Sequence, residues 1–410
     1  MRNVDILFFD KPYLNLLRFG NEIAGHIRAL DSTISIGGMF CIDAPSSSDE
    51  YAKTNFDSVY IRKDVKAIDE FLISNEVKVI VFTIYRVCDM EVILHAKHLG
   101  IKTIMLQEGV IFDGTNIDGV TWKNILASFA FLPKVVWYLR TLKDMCKYDS
   151  QSYKRLIFGM RKVKTKLPIY IMKSFSVPLI CDYVFIMGEH WREYFKTVQG
   201  YGDDKILLMG DHDMDGMDLS VKPEKAVCYV ANVLVEDGTI QKDSFLEFVS
   251  TLADLLKDAP KVYVKLHPRS DESLFGALKS IDAIFLRSES LPYCAAYIGH
   301  RSTLLGRALY ITDNLILWRF PSEKVCFYEN YATAVCSSRD EIAKAVGSID
   351  YENVSNYKRA RVSEMYLFVP DGSFHQVAQG IVSYLENDAI DINLACSASD
   401  YNYLKEESVI

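Results

Sequence analysis

The chain has 410 residues, of which 50% are hydrophobic and 24% charged, and its formal net charge is −8. That length exceeds what one hydrophobic core usually organises, so it predicts two domains. The composition excludes a wholly disordered chain, and the negative balance argues against a protein built mainly to hold nucleic acid.

The N-terminal segment and the cysteines predict a cytoplasmic protein. Val4–Phe9 carries Asp5 inside its apolar run and is followed by no small-residue cleavage site, unlike a signal peptide. No stretch reaches the roughly 18 apolar residues that a membrane-spanning helix requires. The nine cysteines are scattered and form no C-x-x-C pair, so we expect reduced thiols rather than disulfides or a zinc ribbon.

The first hundred residues predict a parallel sheet. Short, apolar, β-branched runs typical of strands occur at Val4–Phe9, Thr33–Phe40, Val77–Thr83 and Ile101–Leu106. A helical pattern closed by a glycine, Asp89–Gly100, lies between the last two. Strand, helix and strand at this spacing form a βαβ unit, which requires parallel strands.

A second series of alternating elements begins near residue 225. The helix Asp243–Lys257 separates the first two of five strand-like runs, which are Ala226–Val230, Lys261–Leu266, Ala283–Leu286, Ala295–Ile298 and Ala308–Thr312. We therefore expect an α/β protein with Rossmann-like domains at residues 1–215 and 220–375, facing each other across a cleft. A C-terminal region, 376–410, would hold the end of a helix at 372–385 and an acidic tail. In open α/β sheets ligands bind beyond the carboxyl ends of the strands, so we look for the chemistry there.

A basic helical insertion interrupts the first domain at about 120–178. Twelve basic and two acidic residues lie between Lys123 and Lys173, interleaved with aromatic residues. This pattern is typical of a surface on anionic lipid, and a solvated helical hairpin or a site for RNA or an anionic glycan are the alternatives. The residues expected to form the membrane or acceptor surface are Lys123, Lys134, Trp137, Arg140, Lys154, Arg155, Arg161, Lys162, Lys164 and Lys166.

The strongest local signal follows the strand Lys261–Leu266, where Lys265, His267, Pro268 and Arg269 come together. The proline turns the chain and places His267 at the carboxyl end of the strand. An imidazole there can hydrogen-bond or protonate a departing phosphate oxygen while the cations oppose its charge. A histidine that only holds the turn is the structural alternative.

A second polar turn holds His300, Arg301, Ser302 and Thr303, between a strand and a helix. Either hydroxyl could simply cap the helix. A helix N-terminus with two hydroxyls and an arginine is also suited to bind an anion. We expect these four residues to contribute to a donor-phosphate site together with Lys265, Pro268 and Arg269.

Two segments in which acidic residues precede a glycine supply candidates for a general base. Glu108, in Gln107-Glu108-Gly109, ends a strand of the first domain, where a carboxylate can take a proton from an acceptor hydroxyl. Glu236-Asp237-Gly238 follows the opening strand of the second domain. An acid that merely occupies a glycine turn is the alternative for Glu108.

These motifs, in this order, resemble those of the bacterial GT-B sialyltransferases and polysialyltransferases, and more broadly of capsule and lipopolysaccharide transferases. That group carries an acidic-acidic-Gly, a His-Pro and a paired Ser/Thr motif, matched by Gln107-Glu108-Gly109, His267-Pro268 and Ser302-Thr303. The resemblance implies that Glu108 is the general base, that His267 assists departure of CMP, and that Ser302 and Thr303 bind the phosphate. Gln107 departs from the motif, since an acid is expected there.

The resemblance implies an inverting, metal-independent transfer of sialic acid, or a related nonulosonate, from a CMP-sugar to a cell-surface glycan or glycolipid. The enzyme would be peripheral on the inner face of the plasma membrane, with no cofactor and no nucleic-acid partner. CMP-Kdo, a UDP- or GDP-sugar and CDP-glycerol are alternative donors, and a non-catalytic glycan- or lipid-binding protein is a further alternative. Asp211–Gly216 matches the opening of a calcium loop, but Lys222 stands where the closing acid belongs, so no metal site is expected.

Overall fold

The fold is taken from a computed structural model. The structure describes residues 3–42, 53–83, 85–109, 131–149, 151, 154, 171–172, 174–215, 217–218, 220–287, 290–300, 302–320, 327–355, 364–367, 369 and 372–390.

Thirteen strands and eight α-helices longer than five residues organise this part of the chain. The strands are Ile6–Pro12 (β1), Ile36–Ile42 (β2), Ser58–Ile61 (β3), Val79–Phe82 (β4), Lys102–Leu106 (β5), Tyr183–Ile186 (β6), Ile206–Leu208 (β7), Glu224–Val230 (β8), Val262–Lys265 (β9), Ile284–Leu286 (β10), Cys294–Gly299 (β11), Leu315–Trp318 (β12) and Ala334–Cys336 (β13). The helices are Glu22–Leu30 (α1), Ile68–Ser74 (α2), Val87–Leu99 (α3), Phe131–Met145 (α4), Lys242–Leu256 (α5), Thr303–Ala308 (α6), Arg339–Gly347 (α7) and Ser373–Glu386 (α8).

The described residues form two compact units. Residues up to Asp215, together with those from Leu367 onward, make the first unit, and those between make the second. The sequence placed the end of the second domain at 375, whereas the chain returns to the first unit at Leu367. The returning segment is held by backbone bonds: Met187 O accepts the Leu367 N–H at 2.9 Å, and Leu367 O accepts the Asp211 N–H at 2.8 Å.

The first unit is built on a seven-stranded parallel sheet in the order β3-β2-β1-β4-β5-β6-β7. Its central strands are almost continuously apolar because helices cover both faces of a parallel sheet. Helix α8 packs on α1, and α4 packs on α3. The strand order reverses between β1 and β4, so the carboxyl ends of these two strands open a crevice suited to ligands.

The second unit repeats this plan with six parallel strands in the order β10-β9-β8-β11-β12-β13. Its core joins the apolar face of α5 to the sheet, with Phe245, Phe248 and Leu252 buried against Val227 and Tyr229. The order reverses between β8 and β11, which places the corresponding crevice at the ends of those strands.

One predicted strand is wrong. Ala308–Thr312 is apolar and β-branched, but helix α6 ends at Ala308 and the chain then turns, so that the strand is Leu315–Trp318. The turn is fixed by side chains: Thr312 Oγ1 and Asn314 Nδ2 both donate to Ala295 O, at 2.9 and 3.1 Å.

Within the described ranges, no helix combines the length and the apolar character needed to cross a bilayer.

Candidate active site

Glu108 lies directly after β5, half-buried at the carboxyl edge of the first sheet. Its Oε1 accepts a hydrogen bond from Asn15 Nδ2 at 2.6 Å. Burial raises the pKa of the Glu108 carboxyl, and the nearby Asp10 carboxylate raises it further, whereas Arg86, Asn15 and Arg18 lower it. A carboxylate with a raised pKa is a stronger base, which is what proton abstraction from a hydroxyl requires.

The residues on either side of Glu108 fix its turn. Gly109 has φ +63°, a left-handed conformation that suits glycine. Gln107 is buried, and its side chain accepts the Met187 N–H and donates to Gly109 O, both at 3.0 Å. An ionised acid at position 107 could only accept hydrogen bonds, so glutamine suits both contacts.

The sequence did not single out the charged cluster beside Glu108. Asp10 ends the buried part of β1, accepts a short hydrogen bond from Thr83 and an ion-paired bond from Arg86 Nη2 at 2.8 Å. Arg86 also binds Asp89 through Nε at 2.7 Å, and this pair caps the start of α3. The cluster therefore occupies the crevice between β1 and β4, where a ligand of this fold is expected.

The chain after β1 supplies Asn15 and Arg18 from a wide helical turn. Leu16–Asn21 forms a π-helical segment, a rare geometry that often accompanies functional sites. Asn15 reaches Glu108, and Arg18 pairs with Asp213 at 2.5 Å. Neither residue carries a signal in the sequence by which it could be singled out.

His267 lies two residues beyond β9 and is half-buried. Its Nδ1 accepts the Arg269 backbone N–H at 3.1 Å, which leaves the ring proton of the neutral imidazole on Nε2. Burial lowers the pKa of His267 and Arg269 lowers it further, while Asp237 and Glu236 raise it. The geometry makes His267 a neutral hydrogen-bond donor through Nε2.

The three neighbours of His267 in the predicted cluster have different environments. Lys265 is buried and its Nζ donates to Arg287 O at 2.9 Å, so it supports the next loop instead of lining an open site. Pro268 is exposed. Arg269 is exposed, with both terminal nitrogens on the Asp237 carboxylate at 2.8 and 3.2 Å.

The second predicted turn divides in the same way. His300 was expected to bind the donor, but it is buried, its Nε2 lies 3.0 Å from Tyr229 OH, and its Nδ1 lies 3.1 Å from Trp318 O. With both ring nitrogens engaged and the ring stacked on Phe320, the side chain packs in the core, and a role of His300 in donor binding stays a prediction. Arg301 lies outside the described residues.

Ser302 and Thr303 follow β11, at the switch point of the second sheet. Ser302 precedes α6 and makes no side-chain capping bond, and its backbone N–H donates to Tyr328 OH. Helix α6 has only six residues, so its dipole is a weaker source of anion binding than the sequence suggested. The two half-buried hydroxyls are the groups that this turn offers.

The predicted membrane or acceptor surface is described only in part. Lys123, Arg155, Arg161, Lys162, Lys164 and Lys166, and the side chain of Lys134, lie outside the described residues. On α4, Arg140 is exposed beside the apolar Val136 and Leu139, which are 45% and 60% exposed. Lys154 is also exposed.

Trp137 and Tyr138 face the other way on α4. Lys11, next to Asp10, donates to Tyr138 OH at 3.3 Å and lies 5.7 Å from the Trp137 ring centre. The insertion therefore contacts the end of β1 at the residue next to Asp10.

The aspartates of the calcium-like loop have structural partners. Asp211 caps the short turn that follows it, Asp213 pairs with Arg18, and Asp215 accepts from Ser373 N and Oγ at 2.8 and 2.9 Å. Across the described ranges, no group of three or more potential metal ligands comes together.

Solved structures share this architecture. A Listeria monocytogenes protein assigned as a UDP-N-acetylglucosamine 2-epimerase aligns with 95% of this chain and 99% of its own, at 8% identity and a TM-score of 0.53. The Neisseria meningitidis UDP-GlcNAc 2-epimerase, bound to UDP-GlcNAc, aligns with 94% of this chain and 100% of its own, at 10% identity and a TM-score of 0.52. At such identity the likeness shows the fold alone, and that fold is GT-B with two Rossmann-like domains, as predicted.

The class is therefore a GT-B protein with a carboxylate cluster in one unit and a His-Pro loop in the other. The family model of alpha-2,8-polysialyltransferase (POLYST) matches residues 47–286, more than half of the chain. The chain belongs to this family and is a glycosyltransferase, which confirms the predicted family and class of activity. The match includes Glu108 and His267 and ends before Ser302. A search of curated protein sequences gave no match.

Proposed function

We propose that this glycosyltransferase moves sialic acid from CMP-sialic acid to a hydroxyl of a cell-surface glycan, with inversion and without a metal. The observation that carries the proposal is the half-buried Glu108 carboxylate. It has a raised pKa and lies at the carboxyl edge of a Rossmann-like sheet, in a chain of the polysialyltransferase family. The name of that family points to a sialylated glycan as the acceptor.

Glu108 is the general base in this proposal. It takes the proton from the acceptor hydroxyl as the oxygen attacks the anomeric carbon of the donor sugar. Asn15 holds one carboxylate oxygen at 2.6 Å, which orients the group and leaves the other oxygen for the acceptor. Asp10 disfavours the ionised form of Glu108 and so increases its basicity.

His267 stabilises the leaving CMP. Since Nδ1 accepts the Arg269 N–H, the imidazole donates through Nε2 to a phosphate oxygen, and negative charge grows there as the glycosidic bond breaks. The hydroxyls of Ser302 and Thr303 are the further donors assigned to the phosphate. This role is hydrogen bonding rather than proton transfer, which fits the lowered pKa of His267.

The proposed reaction needs no metal because protein donors oppose the phosphate charge. Turnover should therefore persist in excess EDTA. Restoration of activity by added Mg²⁺ or Mn²⁺ after chelation would contradict this part of the proposal.

We place the enzyme on the cytoplasmic face of the membrane through the basic insertion. The support is the exposed Val136, Leu139 and Arg140 on α4, within a segment whose sequence is strongly basic. Sedimentation should show binding to vesicles that contain roughly 30 mol% anionic lipid. This binding should be lost at about 0.5 M salt, and neutral vesicles should not bind the protein. Leu139→Glu should weaken binding, and equal binding to neutral vesicles would contradict the placement.

A thermal-shift panel tests the donor. We expect CMP and CMP-sialic acid to raise the melting temperature, and CMP-Kdo, UDP, GDP and CDP-glycerol to have little effect. Ligand at about 100 times its dissociation constant adds roughly 2.7 kcal/mol. His267→Ala should lose most of the CMP shift, whereas the control His190→Ala, an exposed histidine of the first unit, should keep it. Selective stabilisation by another nucleotide would assign a different donor, and the absence of a response to every nucleotide would refute the proposed function.

A further inference from the structure

The second acidic-acidic-Gly triplet, Glu236-Asp237-Gly238, has no part in the proposed chemistry. It follows β8, the strand next to β9 in the second sheet. Because these strands are parallel, the loop after β8 lies at the same sheet edge as the loop that carries His267. Gly238, with φ +69°, allows the tight turn that ends the triplet.

Both acids of the triplet bind the His-Pro loop. The Asp237 carboxylate takes the Arg269 guanidinium in a two-point pair, with Nη1–Oδ1 at 2.8 Å and Nη2–Oδ2 at 3.2 Å. Glu236 Oε1 accepts the backbone N–H of Asp271 at 2.7 Å. Two-point pairs of this kind fix geometry as well as adding attraction.

Arg269 connects these contacts to the imidazole. Its side chain is held by Asp237 while its backbone N–H donates to His267 Nδ1 at 3.1 Å. The same loop is closed by the Ser270 N–H, which donates to His267 O at 2.9 Å. Displacement of Arg269 would therefore move the group that determines which ring nitrogen of His267 carries the proton.

We infer that Glu236 and Asp237 are positioning residues, which hold the His-Pro loop so that neutral His267 presents its Nε2–H outward. The inference rests on the proposed role of His267 for its effect on turnover, but not for its effect on the ring. The charged groups around this ring are Arg269, Lys265, Asp237 and Glu236. Arg269 acts through its backbone and its pair with Asp237, not as a phosphate ligand.

A double-mutant cycle separates the two roles of Arg269. If the pair is a support, Asp237→Ala, Arg269→Ala and the double variant should each lower kcat by about tenfold, with the double variant no worse than either. The KM for the donor should change little. If Arg269 binds phosphate, Arg269→Ala should raise the donor KM while Asp237→Ala, which frees the arginine, should not, and that result overturns the inference.

Conservative variants sharpen the cycle. Glu236→Gln keeps an oxygen that can accept the Asp271 N–H and should retain a near-normal kcat. Glu236→Ala should lower kcat as Asp237→Ala does. The matched control is Asp254→Ala, which breaks a similarly exposed pair, Asp254–Arg339 at 3.2 Å, in the same unit. It should leave kcat unchanged. Because both pairs are exposed, none of these changes should prevent folding.

Nitrogen NMR of histidine-labelled protein gives a readout that does not depend on catalysis. The wild type should show His267 as the Nε2–H tautomer, assigned by its loss in His267→Ala, and Asp237→Ala should shift it toward a mixture. An unchanged His267 signal in Asp237→Ala overturns the positioning role. If the signal shifts while His267→Ala keeps full turnover, the positioning role stands and the catalytic role of His267 fails.

Discussion

Replacing Glu108 with glutamine should separate catalysis from stability. Glutamine keeps the shape and the oxygen that accepts from Asn15 Nδ2 at 2.6 Å, but cannot take a proton. Loss of a general base lowers kcat by about 10²–10⁴-fold. The donor KM should stay within about twofold, because the proposed phosphate contacts are in the other unit. Initial rates of CMP release measure both quantities.

The same substitution should not destabilise the fold at neutral pH. Burial raises the folded-state pKa of Glu108 above its ordinary value of 4.5, so folding disfavours the ionised carboxylate. This cost is absent below pH 4.5 and grows as the pH rises through the folded pKa. Glu108→Gln should therefore be more stable than wild type at pH 7.5, because glutamine does not carry this cost. The advantage should vanish near pH 4.

Asp5 provides the control, since it precedes β1 at the edge of the same sheet that lies opposite the edge of Glu108. Burial raises its pKa, but bonds from Lys78 and Ser35 outweigh burial and the net pKa is lowered. Its ionised form therefore contributes stability that is present above its unfolded pKa and lost as the pH falls. Asp5→Asn should melt lower at pH 7.5 with normal turnover. Full activity in Glu108→Gln, or a loss of stability like that of Asp5→Asn, would refute the account of Glu108.

Three further outcomes are expected. Asp10→Asn removes the charge that raises the pKa of Glu108, so the acidic limb of kcat/KM should move to lower pH in rate profiles; an unmoved limb would exclude this coupling. Gly380→Ala puts a Cβ 2.6 Å from the buried ring of Phe185 and should lower the free energy of unfolding in denaturant by about 2 kcal/mol. An unchanged free energy of unfolding would contradict this prediction. Burial lowers the pKa of His95 from 6.5 to about 4, so between these values only the unfolded state takes up a proton, and the protein becomes less stable as the pH is lowered. His95→Gln should therefore reduce the difference in the free energy of unfolding between pH 7 and pH 5. A pH dependence identical to that of the wild type would contradict this origin.

Much of the architecture could be predicted because parallel strands leave a strong local pattern. The runs that became β1, β4, β5, β8 and β9 are short, apolar and β-branched between helical segments, and periodicity identifies such runs. The pattern fails where packing decides. Ala308–Thr312 has strand-like residues, but the end of α6 and the side-chain bonds of the following turn place it outside the sheet.

The site could be predicted only where a short motif marks it. Glu108 and His267 stand beside Gly109 and Pro268, which signal turns at strand ends. Asp10 and Arg86 are 76 positions apart, and only the neighbouring places of β1 and β4 in the sheet bring them together.

The sequence does not reveal in which direction a polar side chain at a strand end points. Lys265 and His300 turn inward to partners far along the chain, Arg287 and Tyr229, which no local pattern reveals. The acidic triplet at Glu236 and Asp237 is a motif whose contacts only the fold explains.

The most direct test of the central claim is a transfer assay. Purified enzyme is given CMP-sialic acid, CMP-Kdo or a UDP-sugar with a sialylated oligosaccharide, and the product is identified by mass spectrometry and its anomeric configuration by NMR. The account predicts an added sialic acid of inverted configuration from CMP-sialic acid, at a rate reduced by about 10²–10⁴-fold in Glu108→Gln and unaffected by EDTA. Transfer from another donor instead, retention of configuration, or full transfer by Glu108→Gln would contradict it.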